Sequence, residues 1–139
     1  MKTAGNVLRS ILAPVLGFVV ISLGTILTFN VLFGQPAPDA PASVLIPGTI
    51  GAVLSGLLGG LTAGFIAPWR PILHAAAIWI FIAIDTTSVL RNSGGAIWFD
   101  LAGSGILALT ALFGGYLASK WKKSPAAPPF SAGLVSGRL

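Results

Sequence analysis

The chain has 139 residues, of which 55% are hydrophobic and 8% charged, and its net charge is +5. A soluble domain usually has about 25% charged residues, so eight basic and three acidic side chains are too few to cover a water-soluble protein of this length. This composition excludes an ordinary soluble enzyme or nucleic-acid-binding domain, and it is too apolar for a disordered chain. It indicates an integral membrane protein that is embedded in, and contacts, the lipid bilayer.

Four stretches are long and apolar enough for transmembrane helices, since a bilayer core about 30 Å thick needs roughly 20 helical residues. In chain order they cover residues 11–33, 45–67, 72–90 and 96–119. Each is a continuous apolar run and lacks the alternation of apolar and polar residues found in the strands of a transmembrane β-barrel. The sequence therefore predicts an all-α fold, a four-transmembrane-helix bundle within residues 1–119, and a basic, proline-containing tail over residues 120–139.

Proline and glycine mark the connections between these segments. Three prolines within residues 34–41 remove backbone donors and end the first helix. Residues 68–71 predict a tight turn, in which Pro71 suits the first position of the third helix. Residues 91–95 predict a second tight turn, and the chain after residue 124 predicts a mobile tail.

Lysine and arginine predict the orientation. With a cytoplasmic N-terminus, Arg91 is the only one of the eight basic residues outside. The cytoplasmic ones are then Lys2, Arg9, Arg70, Lys120, Lys122, Lys123 and Arg138. This bias predicts a multi-pass protein of a prokaryotic cell membrane with both termini in the cytoplasm, and it accounts for the net charge without a nucleic-acid partner.

The first segment also has features of a signal peptide, because a basic start precedes its apolar run. That run covers about 23 residues, whereas the apolar region of a signal peptide covers roughly 7–15. We therefore expect the first segment to be retained as a transmembrane helix.

The second and fourth segments are similar at an offset of 55 residues. Residues 54–63 align with residues 109–118 at five identical positions, and the same offset places Asn30 over Asp85. Chance similarity between apolar helices and a true duplication both remain open. A duplication predicts two helical hairpins in parallel orientation, related by a pseudo-two-fold axis along the membrane normal.

Small residues recur at every fourth position of the second segment, and the fourth segment repeats the pattern. In lipid, helices associate largely through the close backbone approach that such faces permit. We expect packing through Gly56, Gly59, Gly60, Gly64 and Gly115. The contacts formed could lie within one chain, between copies in a homo-oligomer, or along a narrow pore.

The polar residues of the predicted spans gather near the outer boundary, where Asp85 lies about 9 Å inside the membrane. This predicted cluster contains Asn30, Asp85, Arg91 and Asp100. One interpretation is that Arg91 pairs with Asp85 or with Asp100 and fastens the second hairpin. Another is a shallow ligand or ion site that favours a cation or a proton, and a third is that the carboxylates are simply hydrated.

Few other residues are of types that bind ligands or take part in catalysis. His74 shares a helix face with Asp85 at a distance of about 16 Å, too far for direct contact, so we expect a local hydrogen bond. Trp79 is expected to pack or to face lipid. The chain has no cysteine and one histidine, and it carries no metalloprotease, serine-hydrolase or phosphate-loop motif. We therefore predict no enzymatic activity, no metal and no cofactor.

The stretch Leu-x-Gly-Gly-x-x-Ala-Gly at residues 57–64, the Trp98-Phe99 pair and the related residues 114–118 resemble a broad type of small prokaryotic four-helix membrane protein. The resemblance implies a fold and no activity. Small multidrug resistance transporters have a similar size but an essential glutamate in the first helix, where this chain has no acid. We expect a structural or accessory membrane protein that packs with itself or with a larger complex, with a small transporter or channel using Asp85 as the alternative.

Overall fold

The computed structural model describes residues 2–34, 36–92 and 97–123, and it is helical almost throughout. The helices are α1 (Lys2–Thr25), which continues as a π-helical segment (Ile26–Leu32), α2 (Ala42–Ile66), α3 (Pro71–Asn92) and α4 (Ile97–Lys123). All four are long and apolar enough to cross a membrane. The prediction of an all-α fold with four transmembrane-length helices is confirmed.

The helix ends extend beyond the apolar runs. α1 begins at Lys2 and therefore contains Arg9, and α4 continues to Lys123, so residues 120–123 are helical instead of belonging to the tail. The difference arises because hydropathy marks only the length that matches the lipid core. Helical hydrogen bonds continue into the interface, where lysine and arginine are well tolerated. The remaining predicted tail, residues 124–139, and residues 93–96 of the predicted turn lie outside the described residues.

α2 packs against each of the other helices. Its largest interface is with α4 and its second largest with α1, while α3 packs mainly on α4 and has smaller contacts with α1 and α2. Within the described residues, α1 and α4 share no comparable interface. The order around the bundle is therefore α1, α2, α4, α3.

The two hairpins, α1–α2 and α3–α4, share one register. In the first hairpin Gly24 lies against Ser55. An offset of 55 residues takes Gly24 to Trp79 and Ser55 to Thr110. In the second hairpin the Trp79 indole bonds the carbonyl of Ala108, within one helical turn of Thr110. The repeat seen in the sequence thus corresponds to two hairpins with their facing residues at matching heights.

The predicted pseudo-two-fold axis along the membrane normal is wrong. Such an axis would exchange α1 with α3 and α2 with α4, and it would turn the α2–α3 interface into an equal α4–α1 interface. α2 does pack on α3, but the described part of the chain has no corresponding interface between α1 and α4. The hairpins instead lie side by side in the same orientation, with α1 beside α3 and α2 beside α4.

The α2–α4 interface is a contact between backbones. A Cβ atom added to Gly60 would lie 2.6 Å from the carbonyl carbon of Ala111. One added to Gly114 would lie 2.8 Å from the amide nitrogen of Leu61. Real side chains do not approach so closely, so at these positions only hydrogen fits.

The other predicted packing glycines are also buried inside the chain. A Cβ atom on Gly56 would lie 2.9 Å from the Leu107 carbonyl oxygen of α4. One on Gly59 would lie 2.6 Å from a carbonyl oxygen of α1. Gly64 faces α4, whereas Gly115 faces α3. These small faces therefore serve three different helix pairs of one bundle.

Few large side chains occupy the interior. Ile21 and Ile78 are the largest fully buried residues, and the remaining core is built mainly from alanine and glycine. Most of the large aliphatic and aromatic residues are exposed on the outside of all four helices. This distribution matches a bundle that is surrounded by lipid.

The substitution Gly60→Ala tests the backbone contact. The added methyl group must push α2 and α4 apart, so we expect a loss of about 1–3 kcal/mol in the free energy of unfolding, measured by thermal or denaturant unfolding in mild detergent. The matched control is Gly105→Ala on α4, where a Cβ atom would meet nothing within 4 Å. The control should be neutral or stabilising by up to about 1 kcal/mol, since alanine is the better helix former. Equal effects of the two substitutions would contradict the interpretation.

Candidate functional site

The predicted polar residues all lie towards one end of the bundle. We call this the loop end, because it holds the α1–α2 and α3–α4 connections, and we call the opposite end, where α1 begins and α4 finishes, the termini end. Asp85 and Arg91 are exposed on α3, Asn30 is exposed on the π-helical segment, and Asp100 is half-buried in the first turn of α4.

Arg91 and Asp85 do not form the expected ion pair. They are six residues apart on one helix, which separates them by about 120° around the axis and about 9 Å along it. Over the described stretch of α3, the structure accordingly contains no ion pair between them. The interpretation in which this particular pair fastens the second hairpin is not supported by the helix geometry.

Asn30 belongs to a different part of the surface. The π-helical segment packs on α2, where Thr28 lies against Gly51 and Phe29 lies against Gly48. A π-helix turns less per residue than an α-helix, so side chains beyond Thr25 point in directions that an α-helical projection does not give. No hydrogen bond joins Asn30 to Asp85 or Arg91 in the described residues.

The polar contact that does join α3 and α4 is formed by two hydroxyl groups. Thr86 Oγ1 lies 2.6 Å from Ser104 Oγ, and both residues are half-buried. Thr86 Oγ1 is also 2.7 Å from the Ile82 carbonyl oxygen, and Ser104 Oγ is 2.8 Å from the Asp100 carbonyl oxygen. One hydroxyl therefore donates to the other, which donates to its own backbone.

The sequence alone does not single out this hydroxyl pair, although Thr86 lies at the level of the predicted polar cluster. Hydroxyl groups in a membrane helix usually bond the carbonyl one turn back, and nothing in a sequence distinguishes those that also reach a second helix.

Trp79 forms the second polar link between α3 and α4. Its indole Nε1 donates a hydrogen bond to the carbonyl oxygen of Ala108 at 2.9 Å. Trp79, which is expected to pack or to face lipid, bonds to α4 through its indole nitrogen and is 42% exposed. Between the described residues of α3 and α4, these two cross-helix hydrogen bonds lie at different heights, one at mid-height and one near the loop end.

His74 lies at the termini end and makes the local hydrogen bond that the sequence predicts. Its ring Nδ1 is 3.3 Å from the carbonyl oxygen of Arg70, and its ring meets Trp69 edge-on. Arg70 itself has a positive φ of 42° in the short connection between α2 and α3. His74 therefore supports the turn that reverses the chain between α2 and α3.

The described side chains include few groups that could bind a metal ion or another polar ligand. Among the described residues, no three histidine, cysteine or carboxylate side chains come close enough to hold a metal ion. The feature that retains chemical interest is Asp85, an exposed carboxylate within a helix of transmembrane length. A carboxylate at such a position is costly in lipid unless water, a proton or another molecule reaches it.

Comparisons with protein families, curated proteins and solved structures found no match to this chain. The resemblance to small four-helix membrane proteins therefore remains a prediction from the sequence.

The Thr86–Ser104 contact is tested by a double-mutant cycle with Thr86→Val and Ser104→Ala. We expect a coupling of about 0.6 kcal/mol in the free energy of unfolding, the average for hydrogen bonds between membrane helices. The control cycle uses Thr87→Val with Ser104→Ala, because the exposed Thr87 hydroxyl bonds only the carbonyl of Ala83. A coupling as small as that of the control cycle would show that the hydroxyl pair adds nothing to the interface.

Proposed function

We propose that this protein is a structural or accessory integral membrane protein. It would lie in a prokaryotic cell membrane with both termini in the cytoplasm, and it would associate with itself or with a larger membrane complex. The observation that carries this proposal is the close packing of the interior. Where α2 meets α4, glycine and alanine backbones touch, and this leaves no space for a transport path along that interface.

The surface available for association differs from the one that the glycine pattern suggests. Gly56, Gly60 and Gly64 are occupied by α4, so they build the bundle itself. Open glycines occur on α4 near the loop end, where a Cβ atom at Gly103 or Gly105 would meet nothing within 4 Å. We place the association surface on this part of α4.

The residues around Gly105 support this placement. Leu101 and Leu109, one turn before and one turn after it, are both exposed. Large side chains on either side of a glycine form a notch into which a ridge of another membrane helix can pack. The association surface therefore consists of Leu101, Ala102, Gly105 and Leu109.

The test is Gly105→Leu, which fills the notch at a position where an added Cβ atom would meet nothing within 4 Å. We expect this substitution to lower association by about ten-fold or more while the unfolding temperature stays the same, since the closest backbone approach is lost. Association is measured as energy transfer between labelled copies in liposomes and as subunits that co-purify after mild detergent solubilisation.

The matched control is Ala83→Leu, which enlarges an exposed small residue on the outer side of α3. It should leave association unchanged. If Ala83→Leu abolishes association and Gly105→Leu does not, the surface lies on α3 and the placement on α4 is wrong. If neither copies nor other subunits associate with the unmodified protein, the accessory role itself is contradicted.

The alternative function is a small transporter or channel, and the exposed carboxylate of Asp85 is the observation that favours it. Asp85 lies outside the bundle interior, so a path past it would run between this chain and another. We expect Asp85→Asn to leave proton and cation flux into proteoliposomes unchanged. The control is Asp39→Asn, the same change in the α1–α2 connection. A loss of flux in Asp85→Asn alone would favour the transporter over the accessory role.

A further inference from the structure

α3 has a shallow groove on its outer surface, in the half of the helix that leads to the loop end. Seven residues of α3 line it, from Ile80 to Asn92, and all of them are exposed. No other helix contributes to the described lining. In a bundle surrounded by lipid, this groove therefore opens towards the lipid molecules.

The groove is apolar in one half and polar in the other. Ile80 and Ile84 are exposed in the half nearer the middle of α3, and Ala83 lies beside them with the smallest side chain of the lining. Thr87 and Arg91 continue the same stripe, since residues spaced by three or four share one side of a helix. The groove thus passes from side chains suited to hydrocarbon to side chains suited to a polar headgroup.

The length of the groove corresponds to one leaflet of a bilayer. α3 has 22 residues, so its length of about 33 Å covers the hydrocarbon core of about 30 Å. Ile80 lies near the middle of α3 and Arg91 near its end, about 16 Å apart along the axis. The groove therefore extends from the membrane boundary to the midplane, as one lipid molecule does, whereas a membrane helix would cross both leaflets.

The polar half of the groove contains one charge. Arg91 is the only basic residue that the described chain places at the loop end, and the lining contains no carboxylate. Asp85 lies about 120° away around the helix and does not line the groove. The guanidinium group has five N–H donors, and Asn92 uses one of its two amide N–H groups on the Ser88 carbonyl. The remaining donors suit the oxygen atoms of a phosphate group.

A second groove at the loop end lacks such a polar half. It is lined mainly by α2, as far as Leu54, and its volume of about 670 Å³ is similar to the 770 Å³ of the groove on α3. Its lining contains no charged residue, and the Thr49 hydroxyl donates to the carbonyl of Leu45. Of these two grooves, only the one on α3 combines an apolar half with a cation.

We propose that the groove on α3 binds one phospholipid, with the phosphate on Arg91 and Asn92 and an acyl chain along Ile80, Ala83 and Ile84. Its volume of about 770 Å³ lies within the range of about 300–1,000 Å³ for small-molecule sites, and a free phosphate ion would fill only a small part of it. The proposal rests on the membrane location of the bundle and is independent of the association surface on α4.

The experiment measures binding to the purified full chain in detergent by native mass spectrometry with three probes. Phosphatidylglycerol should bind, and diacylglycerol with the same chains should bind about five-fold more weakly because it lacks the phosphate. Inorganic phosphate, which lacks the chains, should compete with phosphatidylglycerol only weakly. Equal binding of the two lipids would contradict a role for the cation, and strong competition by phosphate would assign the site to a free anion. Either result overturns the proposal.

The cation is tested by Arg91→Gln, which we expect to weaken phosphatidylglycerol binding about five-fold and to leave diacylglycerol binding unchanged. Arg91→Lys keeps the charge and should retain most of the binding. The matched control is Arg70→Gln, which removes the same charge from the termini end and should weaken binding less than about two-fold. An unchanged affinity of Arg91→Gln overturns the site, and an equal loss in Arg70→Gln would indicate diffuse attraction instead.

The apolar half is tested by Ala83→Leu, which fills the groove and leaves the charge in place. We expect weaker binding of phosphatidylglycerol at an unchanged unfolding temperature, since Ala83 is exposed. The matched control is Ala42→Leu, the same change in the groove on α2, which should leave phosphatidylglycerol binding unchanged. Equal effects of the two substitutions would overturn the placement on α3. Gly105→Leu should lower association and leave lipid binding intact, so failure of the accessory role is distinguished from failure of the lipid site.

Discussion

The structure depends on the contact between the backbones of α2 and its two main neighbours. Gly60 lies on Ala111 of α4 and Gly59 lies on the backbone of α1, at distances that exclude any side chain. In lipid, apolar side chains gain nothing by leaving one hydrocarbon environment for another, so van der Waals contact between closely spaced helices supplies the association energy. α2 can make close van der Waals contact with two helices at once because its small residues form two adjacent faces.

This close packing explains where the polar groups lie. With α2 and α4 in backbone contact, the interior accepts small residues and a few isoleucines, and bulky or charged groups remain at the surface or at the ends. Hydroxyl groups within the spans, such as those of Thr28 and Ser55, donate to a carbonyl one turn back, and Thr86 additionally reaches Ser104. The bundle is therefore a compact scaffold whose distinctive chemistry lies on its outer surface and at its two ends.

The two ends differ in their chemistry. At the loop end, Asp85 presents a carboxylate to the surroundings and the open glycines of α4 leave a notch. At the termini end, Lys122 caps α2, and the exposed rings of Phe65 and Trp121 pack on each other. The two ends therefore present different groups to their surroundings.

The sequence by itself determined the class of fold, the number of helices and their approximate limits, because the lipid core imposes a length and an apolar composition on every span. It also selected the glycines that pack. Only the tertiary structure decided which helix each glycine meets and that the hairpins lie side by side, and it joins Asp85, Arg91 and Asn30 by no hydrogen bond or ion pair among the described residues. Those outcomes depend on how each helix is rotated about its own axis. The π-helical segment changes the direction of the side chains that it carries. Several helix faces consist of similar small residues, so the sequence does not determine which faces meet when the helices pack.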